Sequence, residues 1–129
     1  MRVLVDTHVF LWALGNDPRL SRKAKQILTS DSNELVFSLV SLWEIAIKMK
    51  LGRLNTLGSS VSYVREEMNA YGMELLPIRY EHVLQLEALP HHHGDPFDRL
   101  LIAQALHEQL PILTYDKQFK SYGVEVLWQ

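Results

Sequence analysis

Cysteine is absent from this 129-residue chain, which excludes a disulfide framework and any thiolate metal site and allows a reducing compartment. An excess of one charge is missing too. A formal net charge of −2 argues against a protein that coats nucleic acid through bulk electrostatics, while leaving room for a local basic rim. No apolar run approaches the length of a membrane span. Met1-Arg2 leads straight into Val3-Leu4-Val5, so we expect no signal peptide and a cytoplasmic protein. Repeats, linkers and low-complexity tracts are also lacking. The expectation is one domain over residues 1–129, long enough to bury a core without staples.

What is present alternates between short apolar runs and helical patterns. Val3-Leu4-Val5, Leu35-Val36-Phe37, Met73 to Leu76, Pro111 to Thr114 and Val124 to Leu127 read as strands, the first as one buried on both faces. Helices are predicted from Val9 to Leu14, Ser21 to Leu28, Val40 to Leu51, Val61 to Tyr71 and Glu81 to Leu89, with a turn at Lys117 to Ser121. A further helix begins at Asp95-Pro96-Phe97-Asp98. Asp95 is a good N-cap, Pro96 suits the first helical position, and the following residues are apolar on most faces, as in a buried central helix. This order indicates a three-layer α/β/α sandwich with a mostly parallel sheet. Functional loops then lie outside the carboxyl ends of the strands.

Four acids from separate segments converge on that edge. Asp6 and Asp116 each follow an apolar strand, Asp98 stands at a helix start, and Glu44 lies early in the helix after the second strand. Two unit charges about 4 Å apart repel by roughly 4 kcal/mol at an effective dielectric of 20, so such a cluster calls for a cation or a shared proton. Oxygen ligands without cysteine favour Mg²⁺ or Mn²⁺. Such ions serve phosphoryl transfer and hydrolysis.

Each residue also has a plainer explanation. Asp95 and Asp98 both suit a helix cap and its dipole. Glu44 matches a capping box with Ser41 and an ion pair with Lys48. Asp116 suits the cap of a following turn. Thr7 and Thr114 are turn residues, or they hold the carboxylates by hydroxyl hydrogen bonds. His91-His92-His93 reads as loop surface or phosphate contact, and His82 as structural. A phosphoacceptor receiver would need paired acids after the first strand, and an Asp-x-Asp phosphatase an acid at position 8; the sequence has Asp6-Thr7-His8.

Asp6-Thr7, Trp43-Glu44-Ile45-Ala46, Asp95-Pro96-Phe97-Asp98-Arg99-Leu100-Leu101-Ile102-Ala103 and Leu113-Thr114-Tyr115-Asp116, in that order, resemble the PIN domain. More narrowly, they resemble the VapC-type toxins of bacterial type II toxin–antitoxin pairs. The resemblance runs from Val3 to Trp128. It implies a PIN-like fold and a Mg²⁺- or Mn²⁺-dependent endoribonuclease that uses metal-activated water. It also implies a homodimer held inactive by a cognate antitoxin. Carried over by motif, Asp6, Glu44, Asp98 and Asp116 form the acidic quartet, with Thr7 and Thr114 in support and Asp95 as either cap or outer ligand. Asp6 and Asp98 would be the main metal ligands. Arg99, Lys48, Lys50 and Arg53 are candidates for contacts to RNA phosphate. The alternative is a non-catalytic RNA- or protein-binding subunit on the same fold.

Overall fold

The computed structural model describes residues 1–52 and 60–128. Its centre is strand β1 (Arg2–Val5). Side chains alternate across a strand, so Val3 and Val5 enter one core while Leu4 enters another. Strand β2 (Glu34–Ser38) repeats the pattern, with Leu35 and Phe37 on the first side and Val36 on the second. Both faces of the sheet are therefore buried, and this is why these strands read as continuous apolar runs.

Helices α1 (Thr7–Leu14), α2 (Arg22–Thr29), α3 (Leu39–Lys50) and α4 (Val61–Ala70) supply the first core with residues such as Phe10, Leu28, Ile45 and Met68. Strand β3 (Glu74–Leu76), helices α5 (Tyr80–Ala88) and α6 (Pro96–Glu108), and strands β4 (Ile112–Leu113) and β5 (Val126–Leu127) follow. Leu101, Ile102 and Ile112 are fully buried in the second core. The strands lie in the order β3-β2-β1-β4-β5, all parallel. This is the three-layer α/β/α arrangement expected, with every strand pair parallel.

The chain steps outward from β1 through β2 to β3, then returns by α5 and α6 to lay β4 on the other side of β1. After β1 it enters the first core through α1. After β4 it enters the second through a 3₁₀ helix, Lys117–Tyr122, with Phe119 and Tyr122 buried there. Neighbouring parallel strands whose connections leave to opposite faces open a crevice at their carboxyl ends. Asp6 and Asp116 stand on its two sides.

Some boundaries differ from the pattern reading. The predicted turn at Lys117 is that 3₁₀ helix, and β4 and β5 are each two residues long. Pro111 has no N–H to donate, although its carbonyl still accepts from Leu4 N at 2.9 Å. Val124 packs into the second core before β5 begins.

Polar groups tie the layers together. Gln104, fully buried in α6, accepts from Ser38 Oγ at 2.5 Å and donates to the Pro77 carbonyl at 3.2 Å. It thus joins the end of β2 to the segment after β3. His82 is buried as expected of a structural residue, with Nδ1 accepting from Arg79 N at 3.0 Å and Nε2 facing Glu108 at 2.8 Å. Replacing Gln104 by Leu strands a buried hydroxyl and a carbonyl, so Gln104→Leu should cost about 1–3 kcal/mol. A lower urea midpoint at unchanged slope is the expected result; an unchanged midpoint would show that the bridge contributes nothing.

Candidate active site

All four predicted acids reach the carboxyl edge of the sheet. Asp6 follows β1 as the N-cap residue of α1 and is buried; Glu44 is buried in α3. Asp98 lies in the first turn of α6, and Asp116 follows β4. Their charges act on one another. The Asp6 pKa is pushed well above the usual carboxylate range, chiefly by burial and then by the charges of Asp98 and Glu44. The backbone N–H groups of His8 and Val9 offset this only in part, without closing a cap hydrogen bond. Asp98 is raised to about 7, by burial first and then by Asp95, Glu44 and Asp116, with His93 opposing.

The cluster also holds a residue that the sequence reading put at the loop surface or in contact with phosphate. His93 is partly buried, and its Nε2 lies 3.2 Å from Asp116 Oδ2 and 3.3 Å from Asp98 Oδ2. Among the described residues, ligand atoms of His93, Asp98 and Asp116 all fall within 4.8 Å of one another. The ring's Nδ1 accepts from the Asp95 backbone N–H at 3.1 Å. A ring nitrogen that accepts carries no proton, so the proton sits on Nε2 and faces the two carboxylates. Two backbone bonds hold the loop: the Tyr122 hydroxyl accepts from His92 N at 2.9 Å and from His93 N at 2.7 Å. No spacing rule marks this. Tyr122, 29 residues after position 93, holds the loop by two backbone bonds, and the His93 ring is then placed by Asp95 N on one side and Asp98 and Asp116 on the other.

The capping interpretations of Asp95 and Asp116 hold geometrically. Asp95 Oδ1 accepts from Phe97 N at 2.8 Å and Asp98 N at 3.1 Å. Asp116 Oδ1 accepts from Gln118 N at 2.9 Å, capping the 3₁₀ helix and leaving Oδ2 to His93. The Ser41–Glu44 capping box does not form. Helix α3 starts earlier, at Leu39, with Ser38 as its N-cap accepting from Val40 N at 2.9 Å. Ser41 is instead buried and accepts from Thr7 Oγ1 at 2.6 Å, which joins α1 to α3. Thr7 therefore holds Ser41 rather than a carboxylate. Thr114 Oγ1 accepts from Asp116 N at 3.1 Å and shapes the turn that carries that acid.

The basic candidates divide. Lys48 Nζ pairs with Glu44 Oε2 at 2.5 Å, so it belongs to the acid cluster's own electrostatics. Burial works against the Lys48 ammonium, but the hydrogen bond to Glu44 and the surrounding acids outweigh it and raise its pKa. Arg99 Nη1 donates to the Pro90 carbonyl at 2.9 Å and the Tyr122 hydroxyl at 3.3 Å, so it pins the histidine loop instead of offering that nitrogen to phosphate. Lys50 is exposed at the end of α3. Arg53 lies outside the described residues.

The donor set fits a hard divalent cation. Glu44 Oε1 is buried and has no hydrogen-bond partner among the described residues, a costly state for a carboxylate oxygen. It lies beside Asp6 and Asp98, whose pKa values are raised by burial first and then by neighbouring acids, a shift that a cation would reverse. Asp6, Glu44, Asp98 and Asp116 supply the oxygens that such an ion takes.

An open parallel α/β sheet with Asp6 and Glu44 buried, and Asp98 and Asp116 partly buried, at its switch point defines a candidate acidic metal site. The particular family follows from comparison with known proteins: residues 3–125 match the PIN domain, and the chain belongs to that family. It is similar to Ribonuclease VapC22 of Mycobacterium tuberculosis, 28% identical over 121 residues, which span 93% of this chain and 91% of that one. Its fold matches the toxin–antitoxin complex VapBC2 from Rickettsia felis bound to a promoter DNA fragment, with a TM-score of 0.75 at 14% identity and full coverage of both chains. DNA-bound VapBC from Salmonella typhimurium gives a TM-score of 0.72 at 16% identity, covering 98% of this chain and 97% of that chain.

The crowding has a stability consequence with a definite sign. Folded-state pKa values raised above roughly 4, the unfolded carboxyl value, mean that the native state binds more protons than the unfolded one. In EDTA, stability should therefore be fullest below pH 4 as far as these groups are concerned. It should fall as pH rises through about 7, where Asp98 loses its proton. Asp98→Asn keeps the helix cap, which uses only the Asp98 backbone N–H, and should melt above wild type in EDTA at neutral pH. Saturating Mn²⁺ should narrow or reverse that order by mass action. Identical melting curves in EDTA, with no metal shift for either protein, would show that the acids do not share a site.

Proposed function

We propose that this protein is a Mg²⁺- or Mn²⁺-dependent endoribonuclease of 129 residues, a single PIN nuclease domain acting as the toxin of a type II toxin–antitoxin pair. The observation that carries this is the group of buried carboxylates at the switch point, with Glu44 Oε1 left without a partner. The similarity to a curated VapC ribonuclease supports RNA as the substrate class. The shared fold with VapBC complexes agrees with a cognate antitoxin as partner. Among the described residues no helix is long and apolar enough to cross a membrane, which agrees with action in the cytoplasm.

Asp6 and Asp98 would be the main ligands of the cation, with Glu44 and Asp116 completing its surroundings. When bound, the cation supplies Lewis-acid stabilisation of the charge developing on the phosphodiester and lowers the pKa of a water molecule. The protein's own groups do the positioning. Lys48 neutralises one Glu44 oxygen and leaves the other for the site. His93 Nε2–H holds Asp98 and Asp116 in register, and the Asp116 cap fixes which oxygen it turns inward. Burial excludes water from Asp6 and Glu44, which strengthens every charge interaction there.

A second copy of the chain completes the proposal. Leu39 and Trp43 are exposed at the start of α3, and Trp43 packs edge-on against Phe97 at 4.9 Å, beside the acids. Leu42, between them in the chain, is buried in the first core.

Asp6→Asn and Asp98→Asn should each lower Mn²⁺-dependent cleavage of single-stranded RNA at least about a hundredfold, since losing even an outer-shell partner costs 10–100-fold in metal affinity. Circular dichroism should stay unchanged. Near-wild-type cleavage by either purified variant would overturn the assignment. Light scattering at high micromolar concentration should give a dimer, and Trp43→Glu should shift it toward monomer; a strict wild-type monomer would remove the homodimer.

A further inference from the structure

A second cluster borders the acids without belonging to them. A cleft of about 230 Å³ opens between α2, the turn after β4 and the chain end, lined by Lys23, Thr114, Tyr115, Lys117, Lys120 and Trp128. Its three lysines are exposed, and none has an ion-pair partner among the described residues. In a chain of net charge −2 this is a local concentration of unneutralised positive charge. The aromatic side is equally specific. Tyr115 is exposed and packs on Trp12 at 4.9 Å and on Trp128 at 6.4 Å, while Arg19 lies over the Trp12 ring at 4.7 Å. Trp12 is thus covered, and Tyr115 and Trp128 remain to face the cleft.

Position relative to the acids decides its use. Thr114, Tyr115 and Lys117 line the cleft, while Asp116 between them reaches His93 and the acid cluster. The Tyr115 phenol is held above its ordinary pKa, by burial first and then by the charges of Asp6, Asp116 and Asp98. Cleft and acids are therefore two ends of one short turn. A positively charged groove with aromatic faces beside it is the combination that binds single-stranded nucleic acid: lysines follow the backbone and rings take the bases.

We propose that this cleft is the subsite for the nucleotide next to the scissile phosphate, its base stacking on Tyr115 and Trp128 and its phosphate held by Lys117, Lys120 and Lys23. The assignment deepens the ribonuclease proposal and rests on it for the identity of the nucleic acid. It adds basic groups on α2 and the 3₁₀ helix to the cations anticipated in the sequence at Lys48, Lys50, Arg53 and Arg99.

The experiment compares wild type, Tyr115→Ala, Tyr115→Phe, Lys117→Ala/Lys120→Ala and, as a control on α2 outside the cleft lining, Lys25→Ala. Binding of a fluorescein-labelled single-stranded oligoribonucleotide is measured by anisotropy in Ca²⁺ over a salt series, and cleavage in Mn²⁺. Tyr115→Ala should weaken binding on the order of tenfold, with Tyr115→Phe near wild type because the ring is kept. The double lysine variant should also bind more weakly, with its log–log salt slope reduced by about 1.4, from roughly 0.7 per lost phosphate contact. In cleavage, KM should rise more than kcat falls, and Lys25→Ala should change neither. Wild-type binding and KM in all the cleft variants would overturn the subsite. So would loss of antitoxin capture with RNA binding intact, which would give the cleft to a protein partner. Absence of RNA cleavage by wild type would count against the nuclease proposal, while the binding arm would still decide this one.

Discussion

Mutual repulsion of carboxylates is the constraint around which the edge of this sheet is built. Asp6 and Glu44 are almost wholly withdrawn from water, and Asp98 and Asp116 stand close by. Each would be cheaper apart. What keeps them together is a scaffold whose stability comes from elsewhere: two apolar cores on opposite faces of a parallel sheet, with the strand ends fixed by the ladder. The pKa values of Asp6 and Asp98 are raised by burial first and by neighbouring acids second, and a hard cation would oppose both effects.

Smaller devices limit the cost. Asp95 and Asp116 use one oxygen each to cap a helix, so those charges are met by backbone N–H groups before they meet one another. Lys48, one turn on from Glu44, takes its Oε2. His93 presents a single N–H between Asp98 and Asp116. That contact depends on a chain of others: the Tyr122 hydroxyl holds the backbone of His92 and His93, and Arg99 ties Tyr122 to Pro90. The histidine loop is thus an extension of the 3₁₀ helix and of α6, and its geometry comes from both.

Particular elements show how far sequence patterns reach. The runs Val3-Leu4-Val5 and Leu35-Val36-Phe37 are legible because a strand buried on both faces must be apolar throughout. The start of α6 is legible because an Asp cap followed by Pro is a local backbone requirement. Asp6, Glu44, Asp98 and Asp116 are foreseen at one edge because a parallel sheet sends every strand's carboxyl end the same way. Ser41 misleads: it has the spacing of a capping box, but Ser38 takes the cap, and Thr7 uses Ser41 across the helix interface. Arg99 has a structural partner that its charge alone does not reveal: its Nη1 donates to the Pro90 carbonyl and the Tyr122 hydroxyl.

The sequence by itself determined the layers, the buried central helix and the edge at which the acids meet. These follow from periodicity, from capping chemistry and from chain direction, all of them local or set by parallel pairing. Tertiary structure alone decided which neighbour each polar group takes. Three adjacent histidines are chemically alike, and contacts from other elements bring His93 into the site: the Tyr122 hydroxyl on the loop backbone, and Asp98 and Asp116 on the ring. The lysines of α2 and the 3₁₀ helix look like ordinary solvated charges until folding sets Lys23 beside Lys117 and Lys120 against Tyr115 and Trp128. Hydrogen bonds and charge pairs act over a few ångströms in space, and a one-dimensional pattern carries no record of distances between residues far apart along the chain.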